Sequence, residues 1–160
     1  LFLGCLFGAG TLAELRTSLL EAETELTGGA TPRLSPLPGL QDMAGLLQRT
    51  GFALPVVDVE PVTVRYGDPL KLLADLKGMG EQAAFAVGDR AGRKPLTRRL
   101  LARMAEIYAE RFADPDGRLR ATFNVIWLSG WAPDASQPRP LRPGSAKHSL
   151  ADAVKRAKKP

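Results

Sequence analysis

The sequence holds one cysteine, Cys5, and one histidine, His148, among 160 residues. A single thiol cannot close an internal disulfide, which leaves a reducing compartment as the default and removes a cysteine-built zinc site. Cys5 stands in an apolar run and reads as a core thiol, whereas His148 stands in a polar tail. Neither a histidine metal cage nor a cysteine–histidine nucleophile pair therefore has enough members. No apolar run approaches the roughly twenty residues of a membrane helix, and the opening Leu1-Phe2-Leu3-Gly4-Cys5-Leu6-Phe7 lacks the basic leader of a secretory signal. With 44% apolar and 24% charged residues, the composition suits one globular domain.

Charge of one sign is scarce everywhere except at the end. Residues 1–131 carry 15 basic and 15 acidic side chains, whereas residues 132–160 carry seven basic against two acidic ones, so the net charge of +5 belongs to the tail. Such a tail attracts phosphates or acidic membranes, but it has no aromatic side chain on which a base could stack. It reads as a solubilising arm rich in proline, with a short helix expected from Ser149 to Lys155, and nucleic-acid binding is not expected.

What is present is an alternation of strand and helix patterns. Leu1 to Phe7, bounded by Gly8-Ala9-Gly10, reads as a strand buried on both faces, of the kind found inside a parallel sheet. Thr11 to Leu26 carries Leu12, Leu15, Leu19, Ala22 and Leu26 at helical spacing, with Thr11 and Glu14 as a capping box and Gly28-Gly29 as the stop. A second helix runs from Leu40 to Thr50. Residues Phe52 to Tyr66 alternate as a strand in which Pro55 and Pro61 predict an edge position or a bulge. Asp68-Pro69 opens a third helix, with Leu70, Leu73 and Leu76 on one face, and Gly78-Met79-Gly80 closes it. Pro95 opens a fourth helix to Phe112, with Leu96, Leu100, Met104, Ile107 and Tyr108 inward. After the turn Asp114-Pro115-Asp116-Gly117, Ala121 to Gly130 reads as a last strand added antiparallel at an edge. The class is α/β.

Four constellations bear on function. Gly8-Ala9-Gly10-Thr11-Leu12-Ala13 fits the dinucleotide pattern G-x-G-x-x-A, but no second strand ending in an acidic residue follows within about twenty residues, so it reads as a strand-to-helix turn. Glu14 and Arg16 lie in the first helical turn beyond a strand end, where an arginine could clamp a carboxylate and Glu14 orient a cation, though a helix cap and a surface pair are the favoured explanation. Gly78-Met79-Gly80-Glu81 is a helix exit bearing one carboxylate, a lid hinge or an ordinary stop. Trp127 and Trp131 flank Gly130 and read as core and sheet-end packing.

These residues also carry a family resemblance. Thr11-Leu12-Ala13-Glu14-Leu15-Arg16, Ala22-Glu23-Thr24-Glu25, Gly28-Gly29, Gly51-Phe52, Val57-Asp58, Tyr66, Asp75-Leu76, Met79-Gly80-Glu81, Gly130-Trp131, Ser136-Gln137 and Gly144-Ser145-Ala146 resemble the later half of a branch of class I S-adenosylmethionine-dependent methyltransferases. That branch includes the mitochondrial complex I assembly factor that hydroxylates an arginine, with its bacterial relatives, and is similar, less closely, to the malonyl-carrier-protein methyltransferase of biotin synthesis. The resemblance implies a Rossmann-like sheet in which residues 1–7, 54–66 and 121–130 are strands five, six and an antiparallel seven, with inserted helices over the substrate side and residues 132–160 as a separate tail. It implies that the S-adenosylmethionine half precedes residue 1, so the cofactor is expected in an intact parent and not on this chain alone. The expected partners are that missing half, or a second copy through the exposed Leu1–Phe7 strand, and a respiratory-complex protein as substrate. A non-catalytic assembly module is the competing reading. Glu14, Arg16, Tyr66, Glu81 and Trp131 are the expected substrate-side residues, and a bacterial cytoplasm is the expected setting, with the mitochondrial matrix for eukaryotic relatives.

Overall fold

The computed structural model describes residues 1–30, 36–80, 96–138 and 144–145. The elements follow in the order β1 (Phe2–Phe7), α1 (Ala13–Thr27), α2 (Leu40–Arg49), β2 (Ala53–Tyr66), α3 (Pro69–Gly78), α4 (Arg98–Phe112) and β3 (Leu119–Trp131). The three strands form a mixed α/β fold's single sheet in the order β1-β3-β2, with β3 antiparallel to both neighbours. The last strand is thus central, which corrects the expected edge addition. The Asp-Gly turn does bring it back antiparallel, but β3 then enters between β1 and β2, where both its edges are paired.

β3 explains how the core is divided. Leu119, Ala121 and Phe123 alternate onto one face, where they join Leu15, Leu19, Leu100, Met104 and Ile107 from α1 and α4. Ile126 and Leu128 alternate onto the opposite face and pack with Leu47 and Met43 of α2. Burying each large side chain contributes about 1.5–3 kcal/mol. Two ion pairs, Arg103 with Glu25 at 2.6 Å and Arg111 with Glu21 at 2.7 Å, join α4 to α1. Their partners run in opposite chain directions, so the two helices are antiparallel.

β2 lies at the other edge of the sheet, and its register shifts between Ala53 and Val56, so the two prolines mark both an edge and an irregularity. α3 starts as its sequence dictates: the Asp68 carboxylate accepts from the backbone N–H groups of Leu70 and Lys71 at 2.8 and 3.0 Å. Its buried side is Leu72 and Leu76, whereas Leu70 is exposed, because the helix presents that stripe rather than the one starting at Leu70. α4 is capped by Thr97, whose hydroxyl accepts from the Leu100 N–H, so Leu96 lies before the helix and is exposed rather than inward. Pro95 and Ser149–Lys155 lie outside the described residues.

β1 departs from expectation. Leu3 is 69% exposed and Cys5 is exposed too, so the strand is not buried on both faces and Cys5 is not a core thiol. The reason is topological. β1 pairs with β3 on one side, and α2 covers only the face on which Leu6 lies.

Candidate functional site

β1 and β2 both run against β3, so they are parallel to each other and finish at the same end of the sheet, at Phe7 and Tyr66. Open α/β sheets bind ligands beyond the carboxyl ends of such strands. At that end, between α3 and the sheet, lies an open cleft of about 420 Å³ lined by Phe7, Val62, Tyr66, Asp75, Met79 and Phe123, among others. α3 delivers Asp75 and Met79 to this cleft because its Leu72 and Leu76 stripe is anchored in the core.

The cleft has apolar walls and one polar corner. There the Tyr66 phenol and the Asp75 carboxylate share the lining, and burial first, then the interaction with Asp75, raise the phenol above its ordinary range. The corner keeps a neutral hydroxyl beside a carboxylate, a pairing that orients a donor-bearing or cationic group. The cleft's described lining holds no thiol, imidazole or amine, and its polar groups are the Tyr66 phenol and the Asp75 carboxylate. Among the described residues no group of three or more His, Cys, Asp or Glu side chains could hold a metal ion.

The structure separates the expected residues. Tyr66 lines the cleft. Glu14 does not; its carboxylate accepts from the Thr122 N–H at 3.2 Å and hydroxyl at 2.5 Å, locking the start of α1 to β3. Its charge, after burial, helps raise the fully buried Tyr108, whose phenol donates to the Arg120 carbonyl at 2.7 Å. The capping box is therefore misread: Leu12 is the N-cap, with no side-chain cap bond, and Thr11 bonds Asn124 instead. Thr11 and Glu14 are drawn away because the chain after β1 continues along the edge of β3. Arg16 is exposed on α1. Trp131 is 48% exposed and pairs with Ala53, twelve positions along β3 from the partner of Tyr66, about 40 Å away on an extended strand. It belongs to neither the core nor the cleft. Trp127 is likewise 48% exposed and donates to Glu60 at 2.9 Å, so both tryptophans depart from the packing role expected of them. Glu81 lies outside the described residues. Sequence reasoning passed over Asp75 as a site residue, although its spacing of three from Leu72 on α3 marks it as a neighbour of the buried stripe.

The glycine-rich turn after β1 is closely packed. A methyl group added at Gly8 would lie 2.6 Å from the Ile126 side chain, and one at Gly10 would lie 2.5 Å from Asn124 Nδ2. The space these glycines leave is filled by the protein's own side chains. They do not fit an S-adenosylmethionine cradle.

No protein-family model matches the chain. Among curated proteins, it is 39% identical to "Arginine-hydroxylase NDUFAF5, mitochondrial" of Danio rerio over 96% of the chain and 47% of that protein. The Homo sapiens counterpart is 38% identical over 96% of the chain and 44% of its own length. The "Malonyl-[acyl-carrier protein] O-methyltransferase" of Laribacter hongkongensis is 34% identical over 86% of the chain and 42% of its own length. The chain spans about half the length of the curated relatives it matches. These homologues are class I S-adenosylmethionine methyltransferase-like proteins, and the eukaryotic ones are named as mitochondrial. Among the described residues no helix is long and apolar enough to cross a membrane.

Proposed function

We propose that this chain supplies the substrate-side portion of an S-adenosylmethionine-dependent methyltransferase-type protein, with β1, β2 and β3 as the last three strands of its sheet. The cofactor is assigned to the portion that corresponds to the unmatched half of the relatives. The observation that supports this reading is the cleft at the shared end of β1 and β2, with Tyr66 and Asp75 together in its lining. Methyl transfer requires chiefly that the acceptor be aligned with the methyl group, and an apolar cleft with one orienting corner meets that need. The antiparallel direction of β3 is consistent with the antiparallel seventh strand that the resemblance implies.

A second reading comes from the relatives themselves. The proteins named arginine hydroxylases match at 39% over 96% of the chain, against 34% over 86% for the methyltransferase named above, which favours arginine as the modified group. The exposed Asp75 carboxylate suits a guanidinium. A bacterial cytoplasmic setting accompanies both readings.

The test uses the polypeptide carrying both halves. Asp75→Asn and Tyr66→Phe should each raise KM for the acceptor about tenfold, the loss of one charge-assisted hydrogen bond, while leaving the Kd for S-adenosylmethionine unchanged. A variant with unaltered KM would remove the cleft from the site. Absence of S-adenosylmethionine binding by the unmodified two-half protein would remove the reading as a whole.

A further inference from the structure

Tyr66 enters the cleft from a strand whose other face ends in a cluster of charge. Arg65 precedes it on β2 and points to the opposite side of the sheet, directly across from Arg120 of β3. Like charges in such a cross-strand pair repel. The turn after α4 answers this with two carboxylates. Asp114 meets Arg65 Nε at 2.8 Å and Arg120 Nε at 3.2 Å, and Asp116 accepts from the Nη2 group of Arg65. The turn that carries them is itself braced. The Asp114 N–H donates to the Arg118 carbonyl and the Gly117 N–H to the Asp114 carbonyl, both at 2.8 Å, and the Asp116 carboxylate accepts from the Arg118 N–H at 3.2 Å. Exposed ion pairs contribute little when two mobile side chains must be held together. Here both acids stand on one fixed turn, and Arg65 grips them with two arms of a planar fork.

What this clamp holds is the end of β2. Only Gly67 and Asp68 separate Tyr66 from α3, the helix that brings Asp75 and Met79 to the cleft. That helix is short, and its buried residues are Pro69, Leu72 and Leu76. The course of the chain entering it therefore bears directly on how far Asp75 and Met79 stand from the sheet. Resting on the reading above, we infer that Arg65 is a positioning residue of the cleft: held by Asp114 and Asp116, it fixes where β2 ends and so the stance of α3 over Tyr66 and Phe123. Arg65 is not among the residues that line the cleft, and it acts through the chain it anchors.

Two measurements on Arg65→Gln decide it. In the polypeptide carrying both halves, KM for the acceptor should rise about tenfold while kcat holds, because a displaced α3 weakens binding without touching the reacting atoms. Arg103→Gln removes an ion pair between α4 and α1 instead and should leave KM unchanged. In the 160-residue chain the three methionines serve as reporters, Met79 in the cleft wall, Met104 in the main core and Met43 on α2. Methyl NMR spectra of Arg65→Gln should move the Met79 signal and leave the other two in place. Asp116→Asn, a milder change on an exposed turn, should move it the same way by less. A KM that ignores Arg65→Gln but responds to Tyr66→Phe would overturn the inference. So would a fall in kcat at constant KM, a stationary Met79 signal, or shifts as large at Met43 and Met104, since each describes general weakening or no effect rather than positioning. The two ideas fail separately: if Tyr66→Phe leaves KM unaltered, the proposed function is lost, while the methyl spectra still decide whether Arg65 holds α3.

Discussion

Replacing Gly10 by alanine separates a packed turn from a ligand cradle. Gly10 has φ of 87°, and an L-residue held in the left-handed region costs roughly 1–2 kcal/mol. The added methyl would also meet Asn124 Nδ2 at 2.5 Å and break its 2.9 Å bond to the Ala9 carbonyl, a further loss of about 1 kcal/mol. The expected total is about 2–3 kcal/mol, or a melting temperature lower by roughly 5–10 °C for a chain of this size. Gly28 is the control, because its φ is 71° and nothing lies within 4 Å of a methyl added there. Gly28→Ala should lose only the backbone part, roughly 1–2 kcal/mol. Urea denaturation followed by circular dichroism measures both. In an Asn124→Ala background the excess at Gly10 should vanish, since the clashing amide is gone. Equal losses at Gly10 and Gly28, or an excess that survives Asn124→Ala, would refute the packing account.

Glu14→Ala leaves the Thr122 N–H and hydroxyl without their acceptor and should destabilise by about 2–3 kcal/mol in thermal melts, with Glu14→Gln milder. Tyr108→Phe strands the Arg120 carbonyl and should lose about 1–2 kcal/mol. The raised phenols of Tyr66 and Tyr108 also set a pH dependence. Above pH of about 10 the unfolded chain ionises its tyrosines while the folded chain holds these two neutral, so their contribution is fully present below that pH and lost as pH rises. Melting temperatures taken from pH 8 to 11 should fall accordingly, and Tyr108→Phe should flatten the fall.

Local signals were legible wherever one residue type has one physical use. Asp68-Pro69 opens α3, the leucine spacing of α1 names its core face, and Pro55 with Pro61 places β2 at an edge. What escaped was tertiary. Thr11 and Glu14 have the spacing of a cap, yet β3 competes for both side chains, and nothing within the helix sequence reveals a strand 108 residues away. An apolar β1 looks the same whether or not a partner covers it, so its exposure could not be read from periodicity. Tyr66 reaches the cleft because it ends β2. Asp75 depends on the helix phase, which the leucines at 70, 73 and 76 and those at 72 and 76 set differently, and the structure buries Leu72 and Leu76.

The two margins of the sheet differ in kind. β2 presents a margin interrupted by Pro55 and Pro61, neither of which has an N–H to offer, and by a register shift, whereas β1 presents six residues free of proline. The sheet therefore has one receptive margin and one that resists extension. If chains with β1 uncovered associate through their strands, the first pairing of β1 with β1 consumes both receptive margins, and growth stops at two. A fibre needs a chain that is receptive on both sides, and the prolines of β2 withhold the second one.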